Sequence, residues 1–526
     1  MRKSKTSFFI LLFLIVAVFY PLLTMLLNVK WDTFGDLLSS DAFKTALSNS
    51  LVVTSIATIL SVSIAYLLAY TINRTNIRHK GLLKIIITLP MLIPSISHGL
   101  GLINLFGANG IISSIFHFNI VGSVGIVIGS IIYSFPVAFL MLDDGFNYID
   151  NTMYDAARVL GLNKWEMFKK VTMCYMKKPL LSSIFAVFTL IFTDYGVPLA
   201  VGGKFTTLPV FLYKQVIGLL DFSRGTMIGL FLLIPAFVSF IFDNLYKDYS
   251  FGEFNKKFEI KENKTRDRLL KIFMYLIIIF IVVIIGSFVY YAFVDNPALN
   301  RSFSTKHIEY VMNDKLWSSL TNSLIIAIFA SIVGTIIAYF AAYYTARIKG
   351  KMSKIAHILT ISSLAIPGIV LGLSYTISFK GTPIYNTFII LILVNIVHFI
   401  ATPYLMAYNA LQKVNPNYEV VAKTCNIPTY KIIKDVIVPC TKKTIREMFS
   451  YFFVNSMITI SAVAFLFNTK TLPLSLLINN YEGDFLLGEA AIVSLVILFF
   501  NIIVKLVVYF LNKKDHERSE EYAIEL

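Results

Sequence analysis

Long apolar segments recur along the whole chain, and they restrict its fold more than any other feature. Each has about 20 residues, the length that an α-helix needs to cross a bilayer. Because the bilayer interior offers no water to backbone groups, such segments must be helices. The sequence therefore predicts an all-α polytopic membrane protein with about twelve spans, near 8–27, 49–72, 82–106, 121–142, 179–200, 226–245, 269–294, 322–345, 355–379, 385–409, 447–467 and 487–511.

The composition agrees with this class of protein. Only 14% of the residues are charged and 57% are hydrophobic, whereas soluble domains carry about 25% charged residues. A net charge of +16 would suggest nucleic-acid binding in a soluble chain, but the basic residues lie in short loops between the apolar segments. That distribution favours a lipid bilayer over nucleic acid as the partner. It predicts a multi-pass protein of the cell membrane with both termini in the cytoplasm.

The first half of the chain recurs in the second half. Two parallel copies of a six-helix unit are therefore predicted, related by an axis along the membrane normal. The predicted boundaries are 1–248 for the first copy, 249–268 for a cytoplasmic linker and 269–526 for the second copy. Five matches share a shift of 273 residues: Asn49-Ser50-Leu51 with Asn322-Ser323-Leu324, Ala65-Tyr66 with Ala338-Tyr339, Arg74 with Arg347, Ile93-Pro94 with Ile366-Pro367, and Gly99-Leu100 with Gly372-Leu373.

A basic, amphipathic stretch between two apolar segments, the first surface loop (residues 154–174), is the main candidate site. Asp155-Ala156-Ala157 is predicted to form the first turn of a short helix, since an acid suits the positive end of the helix dipole. Gly161 stands where that helix would end, because glycine readily adopts the left-handed conformation of a C-cap. Trp165 and Phe168 lie three residues apart and share one face of a second short helix.

A weaker copy, the second surface loop (residues 419–439), follows 265 residues later. It begins Glu419-Val420-Val421-Ala422, and Asn426 stands where Gly161 stood. Asparagine is the next best residue in the left-handed conformation. Two such loops on one side of the molecule predict a two-fold partner. The alternative is a pair of ordinary amphipathic helices at the membrane surface.

Two prolines and one carboxylate mark a candidate pathway or gate. Pro94 and Pro367 each interrupt an apolar segment near its middle, and broken helices often line transport pathways; a tolerated packing kink is the alternative. Asp194, followed by Tyr195, falls in a predicted span, where a carboxylate is costly and usually faces the bundle interior. Asp194 is expected either to meet a polar substrate or gate partner, or to end its helix early and cap a turn before Gly196.

The surface loops resemble the EAA loops of ATP-binding-cassette importer permeases, whose pattern is Glu-Ala-Ala, three residues, Gly, nine residues and Ile-x-Leu-Pro. The first loop has Asp155-Ala156-Ala157, Gly161 and Val171-x-Met173-Cys174. The second has Val420-Val421-Ala422, Asn426 and Val436-x-Val438-Pro439, or begins at Glu419 in another register. Double-length chains of this kind look like ferric iron, thiamine and phosphonate permeases. The stretches 192–198, 201–203 and 213–218, together with 105–110, are similar to permeases assigned to 2-aminoethylphosphonate or ferric iron.

This resemblance implies a permease without enzymatic activity. Two ATP-binding-cassette ATPase subunits would dock on the surface loops, and an extracytoplasmic substrate-binding protein would dock on the opposite face. The chain itself would hold no cofactor, because ATP would be hydrolysed by the partner; no Gly-x-x-x-x-Gly-Lys-Ser/Thr phosphate loop occurs in the sequence. The expected substrate is a phosphonate or ferric iron, with thiamine left open.

Three alternatives belong to other classes of protein. A twelve-helix secondary transporter driven by an ion gradient would need intramembrane charges, which are sparse here. A membrane-embedded enzyme would need a nucleophile–base pair or a cluster of metal ligands, and neither spacing is visible in the sequence. A structural scaffold would show no substrate-dependent ATPase activity.

Overall fold

The computed structural model of the chain describes residues 10–108, 110–113, 120–245, 258–260, 263–297, 300–348 and 350–524. The all-α membrane class is confirmed. Among the described residues, eight helices are long and apolar enough to cross a membrane: Ile10–Leu27, Asp41–Arg74, Ser123–Asn147, Lys164–Thr193, Phe222–Phe242, Lys264–Phe293, Leu316–Arg347 and Leu487–Asp515. Three bent pairs bring the number to as many as 11: Lys80–Leu92 with Ser95–Phe106, Lys351–Ala365 with Gly368–Phe379, and Phe388–Phe399 with Ala401–Lys413.

Of the twelve predicted segments, only 447–467 corresponds to none of these eight helices and three bent pairs. Its helix, Lys442–Ile458, has 17 residues, and the apolar residues 462–466 beyond it lie in buried turns. Their hydropathy therefore reflects burial inside protein and not contact with lipid. The predicted span 179–200 likewise ends early, at Thr193.

Short elements connect the spans. The predicted linker 249–268 lies partly outside the described residues. The structure describes its residues 258–260 and 263–268. Two antiparallel strands, Val294–Asn296 and Asn300–Phe303, form a hairpin in which Val294 lies opposite Phe303. The short helices and turns are Trp31–Thr33, Phe34–Ser39, Asn151–Val159, Gly196–Val201, Leu208–Tyr213, Lys214–Gly218, Lys306–Asn313, Asn417–Thr424, Thr429–Ile432, Ile433–Ile437, Val438–Cys440 and Leu474–Gly483.

Each half packs its first helix against the other half. Helix Ile10–Leu27 lies on the second arm of the bent pair in the second half, where the Tyr375 hydroxyl donates to the Ala17 carbonyl at 2.6 Å. Helix Lys264–Phe293 lies on the corresponding arm in the first half. That contact requires Gly101, because a Cβ there would lie 2.7 Å from Cγ2 of Ile284. The exchange interlocks the two copies.

The repeated Asn-Ser pairs give the two halves an equivalent internal contact. The Ser50 hydroxyl accepts a hydrogen bond from the Leu208 N–H at 2.7 Å, and the Ser323 hydroxyl accepts one from the Leu474 N–H at 2.7 Å. Each serine thus caps the first N–H of a short helix that has no partner within that helix. The sequence repeat therefore corresponds to a repeat in the structure.

Candidate functional site: two surface loops and the interface between the halves

The first surface loop turns at Gly161, as the sequence predicted. Helix Asn151–Val159 ends just before it, and Gly161 has a φ of 73°. A Cβ at this position would meet no atom within 4 Å. The preference for glycine therefore comes from the backbone alone, since other residues are strained in the left-handed region.

The position predicted for Asp155 is wrong. The helix begins four residues earlier than expected, at Asn151, and its N-cap is Asp150, whose side chain accepts from the Thr152 N–H at 2.8 Å. Asp155 therefore lies in the middle of the helix and accepts from Arg158 at 2.8 Å. The capping residue thus lies upstream of the stretch that resembles the EAA pattern. Of the two alanines, Ala157 is buried and Ala156 is exposed.

The second part of the first surface loop starts with a strong cap. Asn163 and Glu166 form a reciprocal capping box, in which each side chain accepts from the other residue's N–H at 2.9 Å. The Trp165 and Phe168 rings stack with centroids 5.5 Å apart. Trp165 nevertheless keeps 61% of its surface exposed. The chain then passes through one π-helical turn, Phe168–Thr172.

The second surface loop has the same shape. Helix Asn417–Thr424 is followed by Asn426 with a φ of 53°, and a π-helical turn lies at Ile433–Ile437. Ala422 is buried and Val421 is exposed, like their counterparts in the first loop. Tyr430, which sequence reasoning missed, takes the place of Trp165 and is 64% exposed. The shift of 265 residues could have identified it.

An arginine at the end of a long helix supports each loop. Arg74 is buried beside Tyr154 of the first loop helix, with the guanidinium 5.8 Å from the centre of that ring. Its counterpart Arg347 lies 4.0 Å from the carboxylate of Glu419, which also accepts from the Tyr343 hydroxyl at 2.9 Å. Both arginines belong to the repeat found in the sequence, but their role was not predicted.

Pro94 and Pro367 lie at sharp elbows in bent helix pairs. The helix axis bends by 98° at the elbow of the first half and by 111° at that of the second. Each elbow is pressed against the break in the fifth span of its own half. A Cβ on Gly196 would lie 2.3 Å from the Ser95 hydroxyl, and a Cβ on Gly368 would lie 2.3 Å from the Ser461 hydroxyl. In the first half the required glycine therefore lies in the fifth span, whereas in the second half it lies at the elbow.

Asp194 caps a turn, which is the second of the two interpretations given above. Helix Met173–Thr193 ends before it, and its carboxylate accepts from the Val197 N–H at 3.0 Å and the Gly196 N–H at 3.3 Å. The next residue, Tyr195, is fully buried at the interface between the halves. Its ring stacks on Tyr213, with centroids 5.1 Å apart.

Metal-ligand side chains do not converge in the part of the chain that the structure describes. No group of three or more His, Cys, Asp or Glu residues there could hold a metal ion. The three cysteines, Cys174, Cys425 and Cys440, are free and exposed. That the chain holds no cofactor stays a prediction.

The family model for the binding-protein-dependent transport system inner membrane component matches the chain twice, at residues 57–247 and 334–514. The chain belongs to this family. It is therefore a transport protein of the membrane and not an enzyme by family. The family implies an ATPase and a substrate-binding protein as partners, and a secondary transporter is not favoured.

Relatives of this permease match nearly its whole length. The putative ferric transport system permease protein FbpB 1 of Haemophilus influenzae is 24% identical over 88% of the chain and 77% of its own length. The ferric transport system permease protein FbpB of Actinobacillus pleuropneumoniae is 25% identical over 94% of the chain and 77% of its own. The thiamine transport system permease protein ThiP of Escherichia coli is 20% identical over 84% of each chain.

Proposed function

We propose that this permease forms the pathway of an ATP-driven importer and that each surface loop docks one cytosolic ATPase subunit. The observation that carries the proposal is the paired exposure of Trp165 and Tyr430, at 61% and 64%, on two loops of equal shape. Exposed apolar side chains grouped on a surface mark sites of protein–protein contact. Both termini and both loops would face the cytoplasm, as the basic loops favour.

The anchoring of the loops supports a mechanical role. Arg74 and Arg347 end the long helices Asp41–Arg74 and Leu316–Arg347 and contact the first helix of each loop. A displacement of a docked ATPase would therefore move a rigid rod that crosses the membrane. The elbows at Pro94 and Pro367 lie within the same halves and are the proposed moving parts of the pathway.

Ferric iron is the proposed substrate, because two relatives that match most of the chain are named ferric transport permeases. A phosphonate rests on the similarity of a few short stretches and is the weaker candidate. A substrate-binding protein on the face opposite the surface loops would deliver the substrate.

The docking proposal is tested by co-expressing the chain with its ATPase and measuring co-purification and ATPase activity in proteoliposomes. We expect Trp165→Ala and Tyr430→Ala each to weaken co-purification, and the double variant to lower stimulated ATPase activity about tenfold. Trp317→Ala is the matched control, since Trp317 is also exposed but lies in the first turn of its helix, at the end opposite Arg347. Wild-type behaviour of the double variant would exclude docking through these loops.

The substrate proposal is tested by uptake in cells that lack their own iron and phosphonate importers. Expression of the whole transporter should give ATP-dependent uptake of radiolabelled iron. Growth on 2-aminoethylphosphonate as the phosphorus source, without iron uptake, would instead assign the permease to phosphonate.

A further inference from the structure

The axis that relates the two halves can be located from one contact. Tyr213 is the fifth residue after Leu208, and Asn479 is the fifth after Leu474, so the two occupy equivalent positions on equivalent short helices. The Asn479 side chain lies against the Tyr213 hydroxyl. A residue that contacts its own counterpart lies on the symmetry axis of the pair. The axis, and any pathway along it, therefore passes between Tyr213 and Asn479.

Aromatic rings close the interface at this level. Tyr195 stacks on Tyr213 at 5.1 Å, and Tyr213 stacks on Phe465 of the second half at 6.0 Å. Ser50, which caps the helix that carries Tyr213, precedes Arg74 by 24 residues on one helix, or about 36 Å at 1.5 Å per residue. The stack thus lies near the end of the membrane region opposite the surface loops.

Two polar groups beside this stack lack a partner in the described part of the chain: one has no hydrogen bond and the other has no ion pair. The Tyr195 hydroxyl is completely buried and has no hydrogen-bond partner among the described residues. Glu482 lies on the same helix face as Asn479, is half-buried and interacts electrostatically with Tyr195. Within the described part of the chain, no Lys or Arg forms an ion pair with Glu482.

We propose that Tyr195, Tyr213 and Glu482 form a subsite on the axis that accepts a positively charged substrate and rejects oxyanions. This inference rests on the proposed importer function and restricts its substrate class. A half-buried carboxylate without a counter-ion attracts a cation and repels an anion. Carboxylate and hydroxyl oxygens are also the ligand types that hard metal cations prefer.

The subsite fits a substrate in transit. It offers three side chains, fewer than the six or more oxygen ligands that a hard cation such as Ca²⁺ takes, so water or a carrier would complete the shell. Two kinds of substrate share the required positive charge: a metal cation such as Fe³⁺, and an organic cation such as thiamine. Molybdate and sulfate, which other relatives are named for, carry the opposite charge.

The test is a binding titration of the purified permease–ATPase complex in lipid nanodiscs. The probes are Fe³⁺ supplied as its nitrilotriacetate chelate, redox-inert Ga³⁺, thiamine and molybdate. We expect one cation to bind and molybdate neither to bind nor to compete. Preferential binding of Fe³⁺ and Ga³⁺ assigns the site to a metal, and preferential binding of thiamine assigns it to an organic cation. Binding of molybdate alone, or of no probe, would overturn the inference.

Three variants separate the subsite from general packing. Glu482→Gln removes the charge and keeps the shape, so cation affinity should fall at least tenfold. Tyr195→Phe keeps the ring stack and should lower affinity severalfold; it also serves if the Glu482 variant does not fold. Asp484→Asn, an exposed carboxylate two residues farther on, is the matched control and should bind as wild type. Equal binding by Glu482→Gln and wild type would refute the subsite.

Co-purification of the ATPase distinguishes failure of this inference from failure of the proposed function. A Glu482→Gln complex that retains its ATPase subunits but loses cation binding and iron uptake supports the subsite. If the wild-type chain never associates with an ATPase, the importer proposal fails, whatever the titration shows.

Discussion

In the first half, the guanidinium of Arg74 lies 3.5 Å from the centre of the Phe258 ring, beside Tyr154. In the second half, its counterpart Arg347 lies against the carboxylate of Glu419. An equivalent arginine thus supports each surface loop. In the first half it contacts aromatic rings, and in the second half it forms an ion pair. The repeat keeps the position of the arginine, but the groups that the arginine contacts differ between the two halves.

The opposite end of the molecule shows the same difference. Each long helix is preceded by a short helix that packs on the last span of its half. In the first half the contact is a stack of Phe34 on Phe231, with centroids 6.1 Å apart. In the second half His307 meets Glu489, with Nδ1 and Oε1 2.8 Å apart. Aromatic contacts in the first half and ionic contacts in the second should therefore respond differently to substitution and to pH.

The largest expected difference concerns the two arginines. Arg347→Leu leaves the Glu419 carboxylate, 21% exposed, without its cation, and should lower the free energy of unfolding by about 3 kcal/mol. Arg74→Leu removes a cation–π contact but leaves no charged group without its partner. It should therefore lower the free energy of unfolding by about 1 kcal/mol. Thermal unfolding in detergent micelles measures both. Adding Glu419→Gln to Arg347→Leu should restore most of the loss, and equal losses for the two single variants would contradict the distinction.

A smaller effect is expected at the left-handed residues. Gly161→Ala should cost about 1 kcal/mol, because the backbone there is left-handed and no neighbouring atom interferes. Asn426→Gly should be close to neutral, while Asn426→Ala should cost about as much as the substitution at Gly161. The unfolding midpoints of the three variants are compared in the same detergent. A Gly161→Ala variant as stable as wild type would show that the backbone of the turn can leave the left-handed conformation without loss.

The smallest effect is a dependence on pH at the His307–Glu489 contact, which the equivalent contact of Phe34 with Phe231 should not show. The hydrogen bond to Glu489 raises the pKa of His307 above its usual range. The folded state therefore favours the imidazolium, and its stabilisation is fully present below the unfolded pKa of about 6.5 and is lost as the pH rises through the folded pKa. Wild type should thus lose stability above neutral pH. His307→Gln should flatten that slope, whereas Phe34→Leu should lower stability equally at each pH.

Local sequence patterns predicted the features that depend on a few neighbouring residues. The left-handed turns at Gly161 and Asn426 and the breaks at Pro94 and Pro367 follow from backbone preferences. The placement of Asp155 failed because two acids competed for one helix start, and Asp150 had the N–H of Thr152 within reach. The choice between substrate contact and capping at Asp194 depended on where the helix ended, which hydropathy did not indicate.

Taken by itself, the sequence determined the membrane class, the two-fold repeat and the shape of the surface loops, because apolar length, residue spacing and glycine conformation are properties of short stretches. Only the tertiary structure decided that the first helices exchange between halves, that Tyr213 meets Asn479, and that the buried Tyr195 lies beside Glu482. These contacts join residues more than 150 positions apart. Their partners are selected by how whole helices pack, and no local preference encodes that packing.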